Sequence, residues 1–354
     1  MWFGEEQEGI SEDGKVSWYD ARERHATRTE WRLYYATNAV IGSAKAGDAL
    51  FVALRTDDSI LFVVTPAGST IESQLLWLFG LPDQTQLNFA AQEISPSDTG
   101  KLDFAVRYIF DELGIEAEEP ELDILDGMLK KFGKTFPKMK VFSEFARSTL
   151  PDVSALDNVD ETLVAWMDRE ELLFRRLERV IVEERLMGGF VSGSNADVDG
   201  FLQFSLSVQN RRKARAGAAL ENHLEFIFLK RKLLYGRGCE TEDKYKPDFL
   251  FPGCKYYKNI AFPEASLTML GAKSTLKERW RQIFSEAARI KRKHLLTLSP
   301  GISVNQTDQM KAGNVQLVVP SGLHPTYQPS QQAWLMNVTQ FIELVADRQK
   351  RALL

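Results

Sequence analysis

From residue 206 onward the chain alternates short apolar runs with longer amphipathic stretches, and this alternation constrains the fold more than any other feature. A helix is expected at about 213–230. Strands are expected at Asp248-Phe-Leu-Phe251 and Thr268-Met-Leu-Gly-Ala-Lys273, then a long helix at 275–292. Leu295-Leu-Thr-Leu298 and Val315-Gln-Leu-Val-Val319 read as further strands, before a closing helix near 330–350. Strands separated by helices point to a mixed or parallel α/β sheet flanked by helices.

The region ahead of this, from about 125 to 205, is mostly helical in pattern. Val159-Asp-Glu-Thr-Leu-Val-Ala-Trp-Met167 and Glu171-Leu-Leu-Phe-Arg-Arg-Leu-Glu-Arg-Val-Ile-Val-Glu-Glu184 place apolar residues three and four apart. Residues 14–65 are β-rich. Val16-Ser-Trp-Tyr19, Glu30-Trp-Arg-Leu-Tyr-Tyr35, Ala49-Leu-Phe-Val-Ala-Leu54 and Ile60-Leu-Phe-Val-Val-Thr65 are aromatic and β-branched runs broken by Gly, Asp and Ser. A capped helix beginning at Ser69 closes this unit. The polar stretch from Leu81 to about Gly100 reads as a linker, with a helix at about 101–114. The expected organisation is a β-rich module at 1–82, a linker with a helix at 83–124, and a main domain at 125–354 whose first part is helical.

The formal net charge of −5 argues against a general nucleic-acid coat, but the cations are clustered. Arg211, Arg212, Lys213 and Arg215 form one cluster; Arg289, Lys291, Arg292 and Lys293 form another. No apolar run approaches the length needed to cross a bilayer, and MWFGEEQEG lacks the positive start of a signal peptide. Cys239 and Cys254 have no zinc-type spacing and read as reduced, unpartnered thiols of a cytosolic protein.

Hydrolysis of a phosphodiester calls for a hard divalent cation held by carboxylates and a cationic side chain that orients water. Pro247-Asp248 opens one expected strand and Gly271-Ala272-Lys273 closes another. Glu286 falls on the expected following helix, and Glu221 on the helix before the first strand. A Pro-Asp pair alone marks a turn more often than a metal site, and a strand-end lysine usually guards an edge. Together the four suggest a Mg²⁺ site.

Several stretches carry a specific resemblance: Ser207-Val-Gln-Asn-Arg-Arg-Lys-Ala-Arg-Ala-Gly217, Leu220-Glu-Asn-His-Leu-Glu225, Lys246-Pro-Asp-Phe-Leu-Phe-Pro252, the run Met269 to Ile283, Glu286-Ala287 and Val318-Val-Pro-Ser-Gly-Leu-His324. Residues 207–335 resemble the catalytic domain of the EcoRII-like type II (type IIE) restriction endonucleases, in the PD-(D/E)xK nuclease superfamily. The resemblance implies a restriction-endonuclease-like α/β catalytic domain and a type II site-specific deoxyribonuclease acting on double-stranded DNA. It implies Mg²⁺, with Mn²⁺ as a substitute. Asp248 would be the central metal ligand, Glu286 a second carboxylate displaced from the motif position occupied by Gly271, Lys273 the residue that positions water, and Glu221 a further member.

The resemblance also implies that Arg211, Arg212, Lys213 and Arg215 face DNA; the alternative is a solvated helix start. Lys277 is either a phosphate contact or a helix-surface cation. Tyr257 is read as structural, Trp280 and His223 as packed residues, and the 289–293 cluster as helix-surface or phosphate contacts.

Residues 15–81 resemble the second half of the family's N-terminal effector module, a DNA-binding pseudobarrel. Trp18-Tyr19-Asp20-Ala21-Arg22 and Ala26-Thr27-Arg28-Thr29-Glu30-Trp31-Arg32 carry that likeness. Arg28, Glu30 and Arg32 are the implied DNA contacts, and Ala26 replaces a family lysine. The family module starts with strands and an arm that this sequence lacks, so a shortened barrel is expected, with its edges covered or remodelled. Also implied are a homodimer, a cognate DNA methyltransferase in the same system and a cytoplasmic location. Alternatives are a modification-dependent or repair nuclease, and a catalytically silent DNA-binding sensor.

Overall fold

The computed structural model describes residues 2–3, 9–25, 27–54, 59–81, 104–113, 124–192, 195–276 and 279–353. Most of the expected linker at 83–124 lies outside them. At the N-terminus, β1 (Trp2–Phe3), β2 (Ile10–Ser11), β3 (Val16–Asp20) and β4 (Trp31–Tyr35) precede helix α1 (Ala39–Ser43), then β5 (Ala49–Leu54) and β6 (Ile60–Thr65). The sheet runs β2-β1-β6-β5, while β3 and β4 form a separate antiparallel ribbon.

In the capped helix α2 (Thr70–Leu78), the Ser69 side chain accepts from the Glu72 N–H. Helix α3 (Phe104–Glu112) joins α2 over one face of the sheet, where Trp2, Val63, Ile71, Leu75 and Ile109 form a small core. On the other face β5 leaves Leu50, Val52 and Leu54 exposed, while their β6 neighbours Phe62 and Val64 are buried. This module docks on the rest of the chain through side-chain amides. Gln74 Nε2 donates to the Pro300 carbonyl, and Gln328 Nε2 to Gly68 O, Ser69 O and Ser73 Oγ at 3.0, 3.1 and 2.9 Å.

Helices α4 (Ile124–Phe132), α5 (Met139–Ser148) and α6 (Val159–Met187) come next, then the short hairpin β7 (Val191–Ser192) and β8 (Asn195–Ala196), then α7 (Val198–Lys230). The helix expected at 213–230 is therefore the second half of a 33-residue helix capped by Asp197. The remaining elements are β9 (Gly236–Arg237), β10 (Phe249–Phe251), α8 (Cys254–Lys258), β11 (Thr268–Lys273), β12 (Lys293–Thr297), α9 (Val304–Ala312), β13 (Val315–Val318), α10 (Pro329–Gln332) and α11 (Val338–Leu353).

The sheet order is β13-β12-β11-β10-β9. β11, β12 and β13 run parallel; β10 and β9 are antiparallel additions, so the sheet is mixed. Strands β10, β12 and β13 are buried along their whole length, as is β11 up to Lys273. Layers on both faces explain why they read as continuous rather than alternating apolar runs.

Asp160, in the first turn of α6, is buried and accepts from four donors. They are Ser321 N (3.1 Å), Val338 N (2.9 Å), Thr339 N (3.1 Å) and Thr339 Oγ1 (2.7 Å). A carboxylate from one helix thus caps the orphan N–H groups that open another, α11.

Two expectations are corrected. The expected helix at 275–292 is instead a 3₁₀ segment, Arg279–Ser285, followed by turns. Leu276, Trp280, Ile283, Ala287 and Ile290 are buried at helical spacing, so the periodicity is real. Ala287, however, takes a positive φ of 49°, which no continuing helix allows. The cysteines are not unpartnered: Cys239 and Cys254 form a disulfide with Cα atoms 5.5 Å apart. A Cβ at Gly236 would fall 2.5 Å from Cys239 Sγ and 2.7 Å from Cys254 Sγ, so glycine gives the pair its room. The pairing removes the argument from reduced thiols for a reducing compartment. Trp280 is core, as expected.

Candidate active site

The site grows out of strand pairing. β10 and β11 are antiparallel with Phe249 opposite Leu270, so the start of one strand lies beside the end of the other. Asp248 and Lys273 meet there: Lys273 Nζ lies 3.1 Å from Asp248 Oδ2, and the same oxygen accepts from the Ala272 N–H at 2.7 Å. Two donors on one oxygen fix the carboxylate's direction. Gly271, where the commoner motif carries an acid, is buried. A Cβ there would sit 3.3 Å from Ile283 Cδ1 and 3.4 Å from Leu295 Cδ1. That side faces the core, so an acidic side chain in place of Gly271 would be buried against Ile283 and Leu295.

Glu221 on α7 and Glu286 after the 3₁₀ segment flank Asp248. Burial pushes the Glu221 carboxyl above the usual range. The Asp248 charge pushes it further, against the pull of Arg237 and Lys273. Glu286 is raised in the same way, first by burial and then by Asp248, against Lys273 and Lys293. The four expected members therefore feel one another across one end of the sheet. Among the described residues no three acid, histidine or cysteine side chains already converge as a metal cage, so the expected three-carboxylate ligand set is not preassembled. Oxygen donors crowded by like charge still fit Mg²⁺, which keeps several waters and takes one or two carboxylates.

The segment bearing Glu286 is clamped by cations. Lys293 Nζ donates to Phe284 O at 2.6 Å and to Glu286 O. Arg289 donates to the carbonyls of Tyr257, Asn259 and Phe262. Glu242 accepts from Tyr257 Oη at 2.5 Å and from the Ala288 N–H at 3.2 Å. The expectation of helix-surface or phosphate contacts at 289–293 is thus corrected for Arg289 and Lys293, which are consumed by backbone carbonyls. Tyr257 is structural, as expected.

The Arg211–Arg215 segment is not a solvated helix start, because it lies in the middle of α7. Arg215 is buried, stacked on Phe174 with its guanidinium 4.3 Å from the ring centroid, and ion-paired with Glu171. Burial pulls it down to about 10, still a cation at neutral pH. In this conformation it cannot touch DNA, which corrects that part of the expectation. Arg212 is exposed, with Nε 2.6 Å from Glu178 Oε2, and Arg211 lies 4.0 Å over Phe136. The Lys213 side chain and Lys277 lie outside the described set. His223 is packed, with Nε2 3.0 Å from Glu170 Oε2. In the β3–β4 ribbon Arg28 is exposed, whereas Glu30 is held between Arg22 (2.6 Å) and Arg32 (2.5 Å).

Sequence reasoning missed Arg237, which bonds Glu221, and misassigned Lys293, which clamps the Glu286 segment. The only signal for Arg237 is an arginine between two glycines shortly before Pro247-Asp248.

Comparison with known proteins matches residues 174–342 to the family described as EcoRII C terminal. The type II restriction enzyme EcoRII of Escherichia coli is 42% identical over 184 residues, which are 52% of this chain and 44% of that protein. The chain thus spans under half the length of this relative. Two solved structures share the fold at a TM-score of 0.51. The metal-depleted Ecl18kI complex with uncleaved, modified DNA is 17% identical and matches 64% of this chain and 83% of its own. The PspGI–substrate DNA complex is 14% identical and matches 66% and 100%.

Proposed function

We propose, from the match of residues 174–342 to the family described as EcoRII C terminal, that this protein is a sequence-specific type II endonuclease that hydrolyses double-stranded DNA. Mg²⁺ is the proposed cofactor, with Mn²⁺ as a substitute. The carrying observation is the Asp248–Lys273 pair flanked by two carboxyls, Glu221 and Glu286, that burial and Asp248 hold above their ordinary range. A divalent cation at Asp248 would polarise the scissile phosphodiester and lower the cost of forming a nucleophile from water at neutral pH.

The side chains have separable tasks. Asp248, fixed by the Ala272 N–H and Lys273, supplies an oxygen of set direction. Lys273 donates to the attacking water and steadies charge developing on the phosphate. Glu286, with a raised carboxyl, is suited to accept the proton that water loses on attack. Water oxygen bonds to phosphorus as one phosphorus–sugar oxygen bond breaks.

Arg211, Arg212, Lys213 and Lys277 are the proposed DNA contacts of the main domain, and Arg212 must leave Glu178 to serve. In the N-terminal module Arg28 and Arg32 are the proposed contacts. Cutting both strands of a near-palindrome is served by a two-fold pair of sites, so the active form is proposed to be a homodimer. The proposed role is defence against foreign DNA in the cytoplasm, beside a cognate methyltransferase. Among the described residues no helix is long and apolar enough to cross a membrane. The Lys273–Asp248 pair weighs against a catalytically silent sensor, which has no use for it.

The test is incubation of plasmid and genomic DNA with the protein and Mg²⁺, followed by sequencing of the ends. Discrete cuts that disappear in Asp248→Ala and Lys273→Ala are expected. Intact DNA with Mg²⁺ and Mn²⁺, across methylated and unmethylated substrates, refutes the reading.

A further inference from the structure

Arg237 lies on the edge strand β9, opposite Phe249 and so next to Asp248 in the same ladder. The Gly238 N–H donates to the Asp248 carbonyl at 3.2 Å, tying the two backbones again. From this fixed base the guanidinium reaches across to α7. Nη2 and Nε both donate to Glu221 Oε2, at 2.8 and 3.2 Å. Nη1 donates to Asn222 Oδ1 and Glu225 Oε2, both at 3.1 Å. One planar fork therefore grips three side chains on one stretch of helix, a geometry that lysine cannot reproduce.

The grip is anchored on its far side as well. Asn222 Nδ2 donates to Ser143 Oγ at 3.1 Å, and Glu225 lies 3.6 Å from Lys140 Nζ; both partners sit on α5. Arg237 thus joins the sheet end that carries Asp248 to the helical layer that carries Glu221. Both of its bonds to Glu221 fall on Oε2, and none described falls on Oε1.

We propose that Arg237 is the positioning residue for Glu221 as a further acid of the proposed metal site. It holds Glu221 by one oxygen so that the other is presented toward a divalent cation held at Asp248. This inference rests on the metal-dependent reading of the site and assigns a task within it. Arg237 touches neither substrate nor cation; it acts through Glu221. Groups that orient a metal ligand in this way commonly matter about 10–100-fold in metal affinity.

The experiment titrates Mn²⁺ into the full chain without DNA, by calorimetry and by the loss of the free-ion paramagnetic resonance signal. It compares wild type, Asp248→Ala, Glu221→Gln, Arg237→Lys and the double variant Glu221→Gln/Arg237→Lys. Arg237→Lys keeps the charge and loses the fork. It is expected to weaken Mn²⁺ binding about tenfold and to lower kcat with little change in KM for DNA. In the Glu221→Gln background the same change is expected to do nothing more, because the two residues act as one unit.

Wild-type affinity in Arg237→Lys, with Asp248→Ala still unable to bind, overturns the positioning role alone. So does a further loss in the double variant, which marks a general structural effect; melting temperatures of all variants are read alongside. Equal Mn²⁺ binding by wild type and Asp248→Ala instead overturns the metal reading of the site, and the inference with it.

Discussion

Two clusters of charge lie within the main domain, and they are built on opposite plans. On the facing sides of α6 and α7 the charges are matched. Glu171 takes Arg175 and the buried Arg215, and Glu178 takes Arg212. At the end of the sheet they are mismatched: Glu221 and Glu286 both lie above their ordinary range because burial and Asp248 outweigh the nearby cations. The first plan holds helices in register. The second leaves acid in excess, a state that a divalent cation or a proton relieves. Runs of Arg and Glu in a sequence look alike under either plan; only the partners distinguish them.

The comparison breaks first at its functional end. Asp248→Asn is expected to lower DNA cleavage by about 10²-fold or more, while the melting temperature without metal holds or rises because a like charge has gone. A fall in both would mean that the site is structural. At the matched cluster, Arg215→Ala leaves Glu171 without its buried partner. It is expected to cost about 3–5 kcal/mol, read by denaturant unfolding, whereas Arg215→Met should cost less if packing on Phe174 carries part of the effect.

A smaller effect tests whether the matched cluster restrains the proposed DNA contacts. Glu178→Gln frees Arg212, so DNA affinity should rise several-fold at low salt and the log–log salt slope should steepen by about one. An unchanged slope removes Arg212 from the interface.

The smallest effect is a pH dependence. A carboxyl raised in the folded state binds its proton more tightly there than in the unfolded chain. The stability it contributes is complete below the unfolded value and is lost as pH rises through the folded one. Metal-free protein should therefore lose stability on rising through and just above the ordinary glutamate range. Glu221→Gln and Glu286→Gln should each flatten that slope, and saturating Mg²⁺ should offset it. A slope unchanged in both variants assigns the effect to other groups.

Much of this was legible in the sequence because it depends on local pattern. Strands β3 to β6 of the N-terminal module and β10 to β13 of the main sheet, the Ser69 cap, and Asp248 and Lys273 at strand ends all follow from runs of apolar residues and where they stop, whereas the two-residue β1 and β2 carry no such run. Periodicity could not tell 3₁₀ from α at 279–285, since both repeat buried residues about every three positions. β9 is two residues of Gly-Arg with no pattern to detect, and with it went Arg237. The fate of Arg211–Arg215 depended on Glu171 and Glu178 from another helix, and the pairing of Cys239 with Cys254 on the room left by Gly236. These are facts of three-dimensional neighbourhood, and no window on the chain contains them.

Asp160 carries a consequence for how the chain is made. It leaves the ribosome 178 residues ahead of Val338, and its four donors all belong to Ser321, Val338 and Thr339. Until Val338 and Thr339 emerge, a helix start destined for the interior holds a carboxylate short of three of its four donors, so the nascent molecule keeps that end of α6 in water. Closure of such a distant contact is slow, and it comes late in synthesis. The fold is therefore completed from its tail, and chains broken off before Val338 should be held open and soluble only with a chaperone's help.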